Sequence, residues 1–478
     1  MLYCLLYIYI WILGFIIYSN YNYIRLFTYF YFLVFFIISL FLIIIINKSI
    51  IWYEIIFKFY TINFLEISYI IGLDSIAISF ILLSSFIILF CFLLYWYLNY
   101  KINIYSFILF FSLWILLNIF SSLDLFFFYI FFEGIVIPMF FIIGIWGSRK
   151  RKIYASYQFF VYTLLGSVFV LLVILSIYFN KGSSSFDYVL NSYFFSNRQI
   201  LWLILLFIGF GVKIPIMPLH VWLPEAHVEA PTPGSIILAS ILLKLGSYAM
   251  IRLLIIIFFN ISEDIIFFIL ILSLFGFTYA SMTALSQIDI KKIIAYSSIS
   301  HMNFSLIGLF SDTFIGLSGV YFLMFGHAIT SGALFLSIGI LYDRYKTRLI
   351  FYYGSLVVFM PILAILMFIL ILSNFGFPGT INFVGEFLII LGGFMYSNVI
   401  IFLTSFAMIL TLIYSLVLYS KIFFGVLQIN FIRFYSECTR LEFFCLISFI
   451  FFVFFFGLFP YILFSYNVSL YEINIYNI

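Results

Sequence analysis

Lys213 to Gly234 reads KIPIMPLHVWLPEAHVEAPTPG, with about a dozen apolar residues before it and another long apolar run after it. A lysine enters a membrane-length helix there, and Pro215 and Pro218 follow at once. Each proline lacks a backbone donor and clashes with the carbonyl four residues back, so the carbonyls of Gly211 and Ile214 lose their helical partners. The helix is therefore expected to bend or break beside Lys213. In lipid, freed backbone groups are tolerated only where protein or a wet cavity satisfies them. A charged, broken helix is thus a candidate ion-pathway element. The plainer reading is a proline-kinked helix whose lysine snorkels to the interface.

The surroundings decide the solvent. With 478 residues, 67% hydrophobic and 8% charged, the chain cannot supply the polar surface that a water-soluble fold of this size presents. Apolar runs fall at 1–18, 26–46, 73–98, 104–121, 123–146, 153–179, 200–223, 232–257, 264–286, 291–310, 315–341, 354–396, 398–427 and 441–464. They predict an all-α integral membrane protein of about 14 transmembrane helices, with the first run a retained helix. A net charge of +4 gives no nucleic-acid footprint. Cys4, Cys91, Cys438 and Cys445 form no CxxC and no metal spacing, so disulfides and iron–sulfur ligation are not expected. The 70 Phe and 38 Tyr suggest an AT-rich, organellar genome.

A second break is written into Asn374-Phe375-Gly376-Phe377-Pro378-Gly379, where Pro378 orphans the carbonyl of Asn374 in the middle of an over-long run. Each break falls on the fourth helix of a five-helix unit if the chain is divided into 104–257 and 264–427. These units are expected to be two inverted five-helix repeats, each containing a broken helix, flanked by N-terminal helices at 1–98 and a C-terminal helix and tail at 441–478. Of 21 Lys and Arg, 14 fall in loops after odd-numbered helices and five on the opposite side, which sets both termini outside by the positive-inside rule. Lys213 and Lys244 remain, and both lie inside helices.

Buried charge marks the candidate chemistry. Glu133 sits mid-helix in LFFFYIFFEGIVIPMFFIIGIW, where an unpaired carboxylate costs several kcal/mol. Its expected partner is Lys213, with a static ion pair as the plain alternative. Lys244 is too far from its helix ends to snorkel and is expected to face the interior. His301 has Ser297, Ser298 and Ser305 on its face, and His327 has Thr330 and Ser331 on its own, so both can hold ordered water and act as relays. Glu386 lies two turns beyond the second break. His220 and His227 do not supply the facing pair that haem ligation needs, and GFGVKI lacks the third glycine of a dinucleotide loop.

Five segments carry a resemblance: FFEGIVIPMFFIIGIWG, KIPIMPLHVWLPEAHVEAPTPGSIILASILLKLGSYAMIR, KKIIAYSSISHMNFSLIGL, HAITSGALFLSIGILYDR and FPGTINFVGEF. Together they resemble the subunit 4 family of mitochondrial respiratory NADH:ubiquinone oxidoreductase (complex I), whose antiporter-like members are related to Mrp-type cation/proton antiporters. The resemblance runs over residues 72–425 and leaves 1–70 unmatched; Glu225 also departs from the family's usual residue. By position it implies a proton path of Glu133 and Lys213 as ion pair, Lys244 as central carrier, His301 and His327 as relay, and Glu386 as exit group. The sister subunits 2 and 5 resemble this chain but typically have lysine at the place of Glu386.

The expected function follows from that resemblance. It is a proton-translocating membrane-arm subunit of the mitochondrial inner membrane, driven by redox chemistry elsewhere, with antiporter-like subunits 2 and 5 and membrane lipid as partners and no nucleic acid. No cofactor or metal is expected in this chain; NAD, FMN, iron–sulfur clusters and ubiquinone are implied for the rest of the complex. The alternatives are a stand-alone Mrp-type cation/proton antiporter and a purely structural membrane scaffold.

Overall fold

The computed structural model describes residues 21–45, 55–62, 67–94, 96, 100–190, 196–257, 263–426 and 436–463. The helix expected at 1–18 and the tail from 464 lie outside them. The helices that concern the site are α1 (Tyr21–Ile45), α2 (Ser75–Leu94), α3 (Ile102–Ser121), α4 (Leu125–Gly134), α5 (Val136–Trp146), α6 (Lys152–Lys181), α7 (Ser196–Lys213), α8 (Trp222–Glu229) and α9 (Thr232–Ile237). After a π-helical turn at Leu238–Leu242 come α10 (Leu243–Ile257), α11 (Glu263–Ser286), α12 (Ile290–Leu309), α13 (Phe314–Tyr345), α14 (Pro361–Asn374), α15 (Ile381–Tyr396), α16 (Asn398–Phe423) and α17 (Arg440–Leu458).

Among the described residues, 10 helical segments are long and apolar enough to cross a membrane, and α14 and α15 are shorter apolar helices. Helix occupies every apolar run from residue 26 onward. Two of those runs are helical but more polar than the rest: α7 carries Arg198 and Lys213, and α12 carries Lys291, Lys292, His301 and Asn303. The expected total of about 14 therefore stays an expectation.

One element is not helical at all. Strands β1 (Ile55–Ile62) and β2 (Ile67–Leu73) pair antiparallel from Ile55↔Leu73 to Ile62↔Ile67, with a register shift between Tyr60 and Ile62. The stretch is too short for a span, and its Ile, Phe, Tyr and Thr content suits a pleated ribbon. The hairpin stands among described residues that are otherwise mostly helical, and the expected helical membrane class holds.

The chain forms two compact units, one of residues 1–210, 248–261 and 466–478, the other of 211–247 and 262–465. Polar pins organise the first. Arg252 holds Asp74 at 2.5 Å and donates to the Tyr248 hydroxyl at 3.0 Å, which in turn donates to the Phe120 carbonyl at 3.1 Å. Asp124 caps α4 by accepting from Phe126 N at 2.8 Å and from the Ser184 hydroxyl at 2.8 Å. The run at 123–146 is interrupted between α4 and α5, four residues before Pro138, whose ring excludes the Gly134 carbonyl from the helical ladder. Glu133 sits at that interruption.

In the second unit, α13 is 32 residues long and buried along nearly its whole length. Helix α15 lies tightly against it. A methyl group on Gly385 would stand 2.6 Å from the Leu323 backbone nitrogen, and one on Gly319 would stand 2.6 Å from that of Ile389. Small residues are what let two helical backbones approach this closely in a membrane. Helix α17 is tied on by Arg344, which donates to Glu442 at 2.7 Å and to the Glu437 carbonyl at 2.9 Å. Thr439 and Glu442 complete a capping box at its start.

Candidate functional site

The break after Lys213 has its freed carbonyls rehoused. Gly211 O accepts from Ile216 N at 2.8 Å, one residue further along than a helix would supply, and Val212 O accepts from the Trp222 indole at 2.9 Å. Lys213 is buried at the break, and a Cβ on Gly246 would lie 3.2 Å from its own Cβ. The glycine therefore makes room first for Ile214, whose Cγ1 would lie 2.8 Å from that Cβ, and then for the lysine stem.

Lys244 follows the π-helical turn. That turn is the local cause of its pose, because a π turn shifts a carbonyl out of the α-helical register. The Lys244 amine donates to the Ala239 carbonyl at 2.6 Å and contacts His327 Nδ1 at 2.7 Å. His327 on α13 faces His301 on α12, with ring centroids 5.2 Å apart. His301 Nδ1 stands 3.5 Å from Glu386 Oε1 on α15, at the outer limit of a polar contact. Four of the six sequence-predicted groups thus form one buried line, Lys244–His327–His301–Glu386, contributed by four different helices.

The second break frames the last member. Helix α14 ends at Asn374, a turn carries Gly376 at φ 74° and Gly379 at φ 93°, and α15 begins at Ile381. Both glycines occupy the left-handed region that a side chain disfavours. A methyl group on Gly376 would run into the Glu386 carboxylate, so this carboxylate packs directly on the broken turn. Asn382 closes the turn by donating to Ser373 O at 2.9 Å and to Thr330 Oγ1 at 3.3 Å.

The hydroxyls expected to line the histidines are present with a twist. Ser297, Ser298 and Ser305 donate to the carbonyls of Ile294, Ala295 and Met302 at 2.6–2.8 Å, and Ser331 donates to His327 O at 2.6 Å. Their protons are committed to their own helices, and their lone pairs stay open as acceptors. Glu133 belongs to the first unit, where both its carboxylate oxygens are shielded from solvent.

Several parts of the site escaped the sequence reading. The π turn and its Ala239 carbonyl have no residue signature. Tyr414 on α16 is buried, with its hydroxyl beside the side chains of Ser300, Ser297 and Asn374 and within the electrostatic reach of the Glu386 carboxylate. One of two tyrosines in a 26-residue apolar helix gives no warning of that.

Residues 122–411 match the family described as NADH:quinone oxidoreductase/Mrp antiporter, transmembrane. The chain belongs to that family. The chain is 46% identical over 387 residues to NADH-ubiquinone oxidoreductase chain 4 of Marchantia polymorpha, a match spanning 80% of this chain and 78% of that one. A chain of the respiratory complex I of Thermus thermophilus superposes with a TM-score of 0.83 at 25% identity, covering 92% of each chain. A chain of the Mrp complex from Dietzia sp. gives 0.81 at 17% identity over 93% of this chain and 91% of that one, a likeness of fold. The family match covers both breaks and all six candidate groups, from Glu133 to Glu386.

Proposed function

We propose that this member of the NADH:quinone oxidoreductase/Mrp antiporter family is a proton-translocating membrane-arm subunit of the chain 4 type, working in a complex that oxidises NADH and reduces ubiquinone. The observation that carries the reading is the buried line Lys244–His327–His301–Glu386, with its 2.7 Å first step. A proton passing from the ammonium to the carboxylate exchanges a charged pair for a neutral one. Between them, an imidazole can accept at one ring nitrogen and donate from the other. Moving one proton against the membrane potential takes ~2.3 kcal/mol per 100 mV. That work must come from redox chemistry in other subunits, where NADH, flavin, iron–sulfur clusters and ubiquinone would bind.

In this reading Glu133 and Lys213 form the ion pair that sets the charge felt by Lys244, and the two five-helix units, 104–257 and 264–427, are inverted repeats with one break each. Glu386 hands the proton toward the outside or to a neighbouring antiporter-like subunit of type 2 or 5. The chain is a multi-pass protein of the mitochondrial inner membrane. The experiment is Lys244→Met in the assembled complex, with proton uptake and ubiquinone reduction measured together in sealed vesicles. Removal of an essential proton carrier costs about 100-fold or more where no bypass exists, so pumping through this subunit is expected to vanish. Unchanged pumping and turnover in fully assembled complex would overturn the reading and leave a structural scaffold.

A further inference from the structure

Helix α17 carries none of the six candidate groups, yet each of its ends is tied to the helix that breaks beside Glu386. Its start lies in a knot around Arg344, at the end of α13. That guanidinium donates to Glu442 at 2.7 Å, to the Glu437 carbonyl at 2.9 Å and to the Ser436 hydroxyl at 3.0 Å. The Glu437 carboxylate in turn accepts from Leu363 N at 3.3 Å. Leu363 stands in the first turn of α14, where backbone N–H groups have no partner within their own helix. One short segment, 436–442, thus fixes the first turns of α14 and α17 together.

The far end of α17 meets the break itself. From Glu442 to Gly457 the helix runs about 22 Å. A methyl group on Gly457 would run into the Gly379 carbonyl oxygen and would stand 2.6 Å from the Thr380 carbonyl carbon and 2.8 Å from Ile381 N. From α13, a methyl group on Gly326 would run into Asn382 Oδ1 and would stand 2.8 Å from Ile381 Cγ2. The start of α15 is therefore seated on bare backbone from two helices at once. Phe456, next to Gly457, meets the ring of Phe325 edge-on with centroids 5.5 Å apart, which joins α17 to α13 two positions before His327. Glu386 stands in the second turn of α15 and its carboxylate packs on Gly376. A displacement of the turn thus moves both the helix that carries the carboxylate and the glycine on which it rests.

We propose that Arg344 and Gly457 are positioning residues for Glu386: the Arg344 knot holds the start of α17, Gly457 at its far end seats the second break, and together they set where the carboxylate stands against His301. The assignment rests on the reading of Glu386 as a proton-holding group. Neither residue meets the proton, and both act through the turn. The titratable groups that face the carboxylate are His301 on α12 and Tyr414 on α16, with His327 of α13 behind His301. At 3.5 Å the contact between His301 and Glu386 is already at the outer limit of a polar contact, so a small shift of the turn decides whether it persists.

The test uses Gly457→Ala in the whole complex, with proton uptake and the pH profile of ubiquinone reduction measured in sealed vesicles. The added methyl pushes on the Gly379 carbonyl while α17 itself keeps its helix, since alanine is the better helix former. The expected result is assembled complex whose coupled proton uptake falls about tenfold or more, the scale of loss when a reacting group is misplaced by about an ångström. The pH profile is expected to move by about one unit, a tenfold change in proton affinity at the displaced carboxylate. Native uptake or a native pH profile, whatever the amount of complex assembled, would overturn the proposal, since α17 is then a scaffold only. Should the alanine complex fail to assemble, Arg344→Lys keeps the charge without the fork that reaches Ser436, Glu437 and Glu442 at once, and it is judged by the same two readouts. Glu386→Gln is run in parallel: if it pumps and turns over normally, the underlying reading has failed; if it is impaired while Gly457→Ala is native, only the positioning proposal has.

Discussion

Glu386 shows how much one position depends on its neighbours. Its carboxylate packs on Gly376, whose φ of 74° and missing side chain both matter. Gly376→Ala is expected to displace the carboxylate from His301 and to cost roughly 1–3 kcal/mol in backbone strain, read as slower turnover and a lower melting temperature of the complex. Glu386→Gln removes the proton-holding group with little change of shape, so turnover should fall while assembly persists. Native turnover in an assembled Glu386→Gln complex would refute an exit role. Outside the membrane, burial pushes the Cys438 thiol up to about 12, with the carboxylates of Glu437 and Glu442 adding to the effect. Since only the thiolate reacts, roughly one molecule in ten thousand is reactive at pH 8, and maleimide labelling of the folded chain should stay slow until strongly alkaline pH. Lys244, His301, His327 and Glu386 were legible in the sequence because ionisable residues in apolar runs have no cheap place to go. Their order in space was not, because four separate helices set it.

At the level of elements, prolines told most of the story. Pro215, Pro218 and Pro378 announced both breaks, and the structure adds how the loose ends are tied: Ile216 N on Gly211, the Trp222 indole on Val212, and Asn382 on Ser373. Trp222→Phe keeps the bulk but removes the indole donor. It should cost about 1–3 kcal/mol for the unsatisfied buried carbonyl, seen as a lower unfolding temperature; no change would mean that another donor replaces it. Gly385→Ala drives a methyl toward the Leu323 backbone and should loosen α15 from α13 just beside Glu386. The π turn before Lys244 and the β1–β2 hairpin were illegible for different reasons. A π turn follows from packing, with no residue preference strong enough to mark it. The hairpin is composed of the same Ile, Phe and Tyr that fill the helices, so only its length between spans could have hinted at it.

For the molecule as a whole, hydropathy fixed the solvent and the helical class, while the count of spans depends on how broken and polar helices are scored. On the proposed function the redox chemistry lies in partner chains, so the subunit should be found together with them. On a native gel of gently solubilised membranes, this 56.2 kDa chain is expected to migrate in a far larger band that oxidises NADH. Recovery of a lone chain that exchanges cations for protons in vesicles would favour the stand-alone antiporter. The serines of α12, each with its hydroxyl proton turned back onto its own helix, bear on which groups can move a proton. Each can receive a hydrogen bond without passing one on, so on the proposed path they would orient a neighbouring donor and not carry the proton themselves. Transfer along the proposed path would then fall to the titratable groups Lys244, His327, His301 and Glu386, with the hydroxyls only orienting what lies beside His301.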